Sequence, residues 1–379
     1  MGPTGSPTVA IDVTPLLGAR TGIGGAVAEV VHALSALDNA PDLIPFTLSL
    51  RARRHRADVP AATRYVPIPA RVLLTTWARS DVPRIDRWIR PARVLHATNY
   101  LTPPSRLPTV ITIHDCSFVR FPELCSPEVR RIEPIVRRAL RRGAFVHTPS
   151  EYVADEVREF FAAELGDADR VTAIAWGAPT PPPSIPSLSA DLARHVGDSP
   201  YVLAIGTIEP RKNYPNLVAA FAEVAGEHPE LQLVLVGASG PDRDRVEDAL
   251  GQCEPDTRRR IVLTGIVDDE QKHALLTRAS VLVYPSLYEG FGLPLLEAMA
   301  ASVPVVASAA GSIPEVASDA AILVPPTDVH ELAAAIAEAA TNGETRDRLI
   351  ERGAARVRDF SWERTAHGLA GLYERVERP

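Results

Sequence analysis

Tyr201-Val-Leu-Ala-Ile205-Gly206-Thr-Ile-Glu209-Pro-Arg211-Lys212-Asn213 is the stretch from which the fold can be read. An unbroken apolar run followed by a glycine and a polar loop is the pattern of a strand covered on both faces. The loop gives way to an amphipathic helical pattern at 216–226, and that to a second apolar run at 231–236. Strand, helix and strand in this order make a βαβ unit, whose two strands must run parallel.

The alternation continues in both directions. Toward the C-terminus, apolar runs at 261–264, 281–284, 305–307 and 321–324 alternate with helical patterns at 243–250, 270–279, 294–301 and 329–340. Toward the N-terminus, strands are expected at 9–13, 46–50, 94–96, 110–114, 145–148 and 171–174, with helices at 23–37, 127–142 and 151–165, the last capped by Ser150. Two successive βαβ series predict an α/β protein with two doubly wound parallel sheets, both Rossmann-like. The proline-rich segment 179–186 excludes helix and central strand and marks the joint. The expected domains are 1–180 and 181–360, with a helix in 361–379 that packs outside or crosses back to the first domain.

The charge balance changes sign at the same joint. The net charge is −7, divided into +4 over residues 1–190 and −11 over 191–379. Apolar residues at 46% and charged residues at 23% place the chain among globular proteins. No apolar run is long enough for a membrane span, and no signal peptide is recognisable. Three cysteines at 116, 125 and 253 match neither a disulfide framework nor a zinc site, so a reducing compartment, the cytoplasm, is expected. The opening Met1-Gly2-Pro3-Thr4-Gly5-Ser6 matches a myristoylation pattern, but its composition reads as a flexible tail. Only Lys212 and Lys272 are lysines, which leaves few anchors for Schiff-base chemistry. The arginine-rich stretches 51–56 and 130–142 carry no interleaved aromatics, so nucleic acid is a poor partner. A solvated helix face, an anionic acceptor or peripheral contact with the inner face of a membrane remain for them.

Ligands of doubly wound sheets bind outside the carboxyl ends of the strands, and chemistry is sought there. The first strand ends at Asp12-Val13, and Thr21-Gly22-Ile23-Gly24-Gly25 leads into a helix. Such glycines let backbone N–H groups reach an anion, although Val27 breaks GxGxxG and a plain turn explains them equally well. The strand at 110–114 delivers His114-Asp115, where an imidazole can titrate, orient a hydroxyl or serve as a core residue. After Ile205, the adjacent Arg211 and Lys212 offer a planar fork and a point charge, suited to a diphosphate. After Tyr284 comes the richest segment, Pro285-Ser-Leu-Tyr-Glu289-Gly290-Phe291-Gly292-Leu-Pro294-Leu-Leu-Glu297. It places one acid in a glycine-rich loop and a second in the helix that follows.

Glu289-x7-Glu297 around Gly-Phe-Gly, with Gly-Thr-Ile-Glu-Pro-Arg211-Lys212-Asn upstream, resembles the retaining glycosyltransferases of family 4, which have the two-domain GT-B fold. The likeness extends through Gly22-Ile-Gly24, His114-Asp115, Thr148-Pro-Ser150-Glu and the Trp362 helix, nearly the whole chain. It implies that the first domain binds the acceptor and the second a nucleotide sugar. Arg211 and Lys212 would neutralise the departing diphosphate, approached by Gly24 from the first domain. Glu289 would contact the donor sugar beside the Gly290, Phe291 and Gly292 backbone, and His114 would hold that sugar. Glu297 would take the ribose, with Val267 and Gly206 near the nucleoside. The resembled branch favours GDP-mannose over UDP-sugars, a carbohydrate or glycolipid acceptor, and polysaccharide biosynthesis.

Such transfer needs leaving-group stabilisation more than a protein nucleophile. Cations stand in for a metal, and no cofactor beyond the nucleotide sugar is expected. Asp167-Ala-Asp169 and Asp242-Arg-Asp244 spell DxD, the manganese motif of another glycosyltransferase fold, but are read as solvated turns. A two-carboxylate glycosidase, a GT-B epimerase, a pyridoxal phosphorylase anchored on Lys212 or Lys272, and a noncatalytic sugar-nucleotide sensor are the rival readings. In the phosphorylase reading, Lys272 falls on an exposed helix face.

Overall fold

The structure, a computed structural model, describes residues 6–18, 22–68, 70–182 and 184–378. Residues 1–5 of the acylation pattern, Thr21 of the glycine run and Pro183 of the proline segment lie outside them. The chain divides into two compact units, one of Met1–Gly177 with Ser361–Pro379 and one of Ala178–Phe360.

Unit 1 holds a seven-stranded parallel sheet in the order β3-β2-β1-β4-β5-β6-β7. Its strands are β1 (Thr8–Asp12), β2 (Asp42–Thr47), β3 (Arg64–Tyr65), β4 (Val94–Ala97), β5 (Thr109–Thr112), β6 (Phe145–Thr148) and β7 (Val171–Ala173). Unit 2 holds a six-stranded parallel sheet in the order β10-β9-β8-β11-β12-β13. Its strands are β8 (Tyr201–Ile205), β9 (Gln232–Val236), β10 (Ile261–Gly265), β11 (Val281–Tyr284), β12 (Val305–Ser308) and β13 (Ile322–Val324). Helices cover both faces of each sheet, which is why the strands read as continuous apolar runs: Val202, Leu203 and Ala204, consecutive in β8, are all fully buried. The strand order reverses between β1 and β4 in unit 1 and between β8 and β11 in unit 2. Those switch points are where a crevice opens at the carboxyl edge.

Twelve expected strands are present within a few residues, and the departures have local causes. β2 begins at Asp42 because Pro45 sits inside it, aligned with Ile11, and hid the apolar pattern. β3 has two residues, too few to show a period. The helix expected at 127–142 is two, Pro127–Arg130 and Ile132–Arg141, and the one expected at 151–165 breaks at Phe161. Ser150 caps the helix Glu151–Phe160, accepting from the Val153 N–H at 3.3 Å. Among the described residues, no helix is long and apolar enough to cross a membrane.

The last helix, Trp362–Glu377, belongs to unit 1. Thr365 Oγ1 donates to the Ala175 carbonyl at 2.7 Å, and Tyr373 enters a buried polar chain. The direction of that chain follows from its end. His147 Nε2 must donate to the Ile174 carbonyl (2.9 Å), so His147 Nδ1 accepts from Thr112 Oγ1 (3.0 Å). Thr112 Oγ1 then accepts from His96 Nε2 (2.8 Å), and His96 Nδ1 accepts from the Tyr373 hydroxyl (2.7 Å). Each member has one consistent role, both imidazoles are neutral, and β4, β5, β6 and the last helix are joined by one satisfied network.

Candidate active site

The carboxyl edge of β8 carries Arg211 and Lys212 in a short 3-10 turn, Pro210–Lys212. Asn213 follows in the left-handed region (φ 58°), and its amide nitrogen donates to the Pro285 and Pro326 carbonyls at 3.1 and 2.7 Å. That side chain ties the cation-bearing turn to the loop after β11. The loop delivers Glu289, and the two meet: Lys212 Nζ lies 2.6 Å from Glu289 Oε1 and Arg211 Nη1 2.8 Å from Glu289 Oε2. Arg211 also reaches Glu209 at 2.7 Å, and Lys212 donates to the Tyr284 hydroxyl at 2.9 Å. Lys212 and Glu289 are both buried.

The electrostatics follow from burial and charge together. Burial alone would raise the Glu289 carboxyl, but Arg211 and Lys212 outweigh it and pull it down to about 2. Burial lowers Lys212, opposed by Glu289. Burial also pushes Tyr284 well above the usual phenol range, so it stays a neutral partner. The result is two cations and one anion held together at the end of a parallel sheet, a preorganised field for an anionic leaving group.

Glycines let these loops approach. Gly311 has φ +58°, and a Cβ there would stand 2.5 Å from the Glu289 carbonyl oxygen and 2.8 Å from its nitrogen. Ser312 adds two bonds to that carbonyl, from its N–H and its hydroxyl, both at 3.0 Å. Gly206 lies against Lys212 Cε, at 3.1 Å from where a Cβ would be. Gly292 (φ +99°) precedes the helix Leu293–Ala300, and Phe291 packs its ring against Phe360 at 5.7 Å.

Glu297 lies on that helix, where Lys272 Nζ reaches its Oε1 at 2.9 Å. Lys272 comes from the helix Asp269–Arg278, just after Val267 and β10, and is half-buried rather than on an exposed face. Burial lowers its ammonium, yet Glu297 and Asp269 prevail and raise it. Sequence reasoning weighed Lys272 only as a pyridoxal anchor and did not single out Tyr284. The one available signal was that Lys272 is the chain's second lysine.

Unit 1 carries the remaining residues singled out in the sequence. His114 is buried at the end of β5, with Nε2 donating to the Thr98 carbonyl at 2.9 Å and its ring beside Tyr100 and Trp176. Burial brings it down to about 4 against the bond to Thr98, so it is neutral, with Nδ1 as an acceptor. Gly24 is buried in the first turn of the helix Gly22–Ser35, which was expected at 23–37.

One sequence expectation is corrected. Asp167 is an exposed turn residue, but Asp242 is 2% exposed, set where the loop after β9 bonds back to the Ile208 carbonyl. Four of the six arginines of 130–142 are ion-paired, Arg137 and Arg141 sharing Glu164 and Arg138 and Arg142 sharing Asp81.

Comparison with known proteins agrees with this layout. Residues 192–356 match the family model described as glycosyl transferases group 1, and residues 20–179 match glycosyltransferase family 4. The chain is 34% identical to O-antigen chain mannosyltransferase B of Escherichia coli over 77% of each protein. It is 28% identical to an alpha-D-kanosaminyltransferase of Streptomyces kanamyceticus over 71% of each. Sucrose-phosphate synthase from Thermosynechococcus elongatus shares the fold, with a TM-score of 0.73 at 22% identity over 97% of this chain and 98% of that one. With two parallel α/β units of the GT-B type and matches to both of its halves, the chain belongs to the family 4 glycosyltransferases.

Proposed function

We propose that the protein is a retaining α-mannosyltransferase that moves mannose from GDP-mannose to a carbohydrate hydroxyl. The observation that carries the reading is the cluster of Arg211 and Lys212 on Glu289, in a chain one-third identical to an O-antigen mannosyltransferase. Arg211 and Lys212 bind the donor diphosphate and stabilise the charge it gains as the glycosidic bond breaks. Glu289 has two tasks: it keeps the cations in place without ligand, and it accepts from the sugar's hydroxyls when the diphosphate takes over the cations. Glu297, oriented by Lys272, accepts from the ribose diol. His114 Nδ1 accepts from a hydroxyl of the transferred sugar. The acceptor attacks on the face the diphosphate leaves, and its proton passes to a departing phosphate oxygen, so no protein nucleophile is used. The two cations also take the place of a divalent metal. The kanosaminyltransferase relative supports a second reading, another hexose carried on another nucleotide.

A thermal-shift panel of GDP, UDP and ADP with their sugars tests the donor, since a ligand of the native state raises the midpoint by mass action. Stabilisation by GDP and GDP-mannose is expected, and a shift with UDP alone replaces the first reading by the second. Transfer persists in excess chelator; loss restored by manganese overturns the metal-free mechanism.

A further inference from the structure

The loop 289–292 is supported at two points, and one side chain in unit 2 reaches both supports. At its start, the Glu289 carbonyl is held by Ser312, which leads into the helix Ile313–Ala317. Between Gly290 and Gly292, which have no side chains to anchor, the side-chain anchor is Phe291. Its buried ring meets the Phe360 ring edge to face, at 5.7 Å and 79°. Phe360 follows the helix Gly343–Val357, its N–H bonded to the Val357 carbonyl at 3.0 Å.

Arg356 stands in the last turn of Gly343–Val357. A helix of five residues leaves its last four carbonyls without partners inside it. In Ile313–Ala317, Ser318 and Ala320 take those of Pro314 and Ala317 through their N–H groups, both at 3.0 Å. Arg356 takes the other two, Nη2 donating to the Glu315 carbonyl at 2.7 Å and Nε to the Val316 carbonyl at 2.9 Å. The same guanidinium lies over the Phe360 ring, 4.6 Å from its centre, while Nη1 pairs with Asp359 Oδ2 at 2.8 Å. A guanidinium donates in its plane and attracts a ring across its face, so one group can serve both supports, which a lysine's point charge could not. The side chain is 23% exposed, so water competes little for these bonds.

We propose that Arg356 is a positioning residue for the donor sugar: without touching the substrate, it fixes the loop 289–292 by bracing the helix behind Ser312 and the ring behind Phe291. The proposal rests on the donor reading above for the ligand that feels this loop. Loss of the brace reaches the sugar before the diphosphate, because the cations sit in the turn Pro210–Lys212, which Asn213 anchors to the Pro326 carbonyl outside the loop.

The test compares the native chain with Arg356→Met, Phe360→Leu and Arg352→Met, each checked for folding by far-UV circular dichroism. Amide exchange over 311–318 is followed by mass spectrometry in the ligand-free chains, and GDP and GDP-mannose are titrated by calorimetry. In Arg356→Met, exchange over 311–318 speeds up about tenfold, the equivalent of one lost hydrogen bond. GDP-mannose affinity falls about tenfold while GDP affinity stays within about twofold, a split that a general loss of structure does not produce. Phe360→Leu removes one support and gives a smaller split of the same kind. Arg352 lies one turn earlier on the same helix and bonds to Asp319 instead, so Arg352→Met changes both affinities by less than about twofold. The proposal is overturned if Arg356→Met leaves the exchange unchanged, if it weakens GDP as much as GDP-mannose, or if Arg352→Met acts in the same way. Should Arg356→Met not fold, Phe360→Leu decides, and an unchanged GDP-mannose affinity there overturns the proposal. A native chain that binds neither GDP nor GDP-mannose, in which Arg356→Met still loosens 311–318, refutes the donor assignment and leaves the brace standing.

Discussion

At the scale of single residues, the site depends on Glu289 more than on either cation. Its carboxylate is the shared counter-charge of Lys212 and Arg211, so removing its charge leaves a buried ammonium with only the Tyr284 hydroxyl. Breaking one side of a buried ion pair costs about 3–5 kcal/mol, and Glu289→Gln is expected near the lower end because the amide keeps a hydrogen bond. Urea melting followed by far-UV circular dichroism measures the loss. The pH dependence has a definite sign. The folded-state value of about 2 lies below the ordinary 4.5, so the stabilisation is complete above 4.5 and fades as pH falls from there toward 2. Glu289→Gln removes that dependence, and a variant as stable as the parent with the same acid profile contradicts the assignment. Arg211, Lys212 and Glu289 stood out in the sequence because each is a charged residue in a loop that follows an apolar strand. Their mutual pairing did not, since a contact across 77 residues depends on β8 and β11 being sheet neighbours. Lys272 was misread for the same reason: its helix shows no partner until Leu293–Ala300 is placed beside it.

At the scale of elements, apolar runs located the strands because both faces of each sheet are covered, and they failed only where a proline or a two-residue length erased the pattern. The close contacts of loops were less visible. A glycine in sequence does not say whether it turns the chain or admits a neighbour, and Gly311 does both. Gly311→Ala forces a Cβ into the Glu289 backbone in a left-handed conformation, a cost of about 2 kcal/mol. It also displaces the loop that carries the carboxylate. Transfer is expected to fall further than GDP affinity, because the turn Pro210–Lys212 keeps a second anchor outside that loop, the bond from Asn213 to the Pro326 carbonyl. Gly251, inside the helix Arg243–Gln252 with open space at its Cβ, is the control, and Gly251→Ala stabilises by up to about 1 kcal/mol. Equal effects at the two positions refute the steric account. Rates, calorimetry and melting on the two variants decide it.

At the scale of the whole molecule, acid is expected to act on the units unequally. Unit 1 contains His96, His114 and His147, all buried and all lowered chiefly by burial, the latter two to about 4. Below pH 6.5 the unfolded chain takes up protons on all three that the folded chain refuses, so stability falls with pH down to about 4. Asp12 works in the opposite sense: raised to about 6, it binds a proton in the folded state first and returns one histidine's share below pH 6. The balance of roughly two protons, at about 1.4 kcal/mol per pH unit each, removes on the order of 5 kcal/mol between pH 7 and 5. In unit 2 the shifted histidines oppose each other, His273 downward and His330 upward, and the dependence of Glu289 begins only below 4.5. All four tryptophans, Trp77, Trp88, Trp176 and Trp362, belong to unit 1, so tryptophan emission reports that unit alone. The midpoint of its thermal transition is expected to drop by roughly 10 °C from pH 7 to 5, at a few degrees per kcal/mol for a unit of this size. Tyr373→Phe leaves His96 Nδ1 without its donor and lowers the midpoint at pH 7 as well, by about 1–3 kcal/mol in stability. A midpoint that holds between pH 7 and 5 would mean that the three imidazoles accept protons in place, and that the one-directional chain from Tyr373 to Ile174 is not what joins the last helix to the sheet.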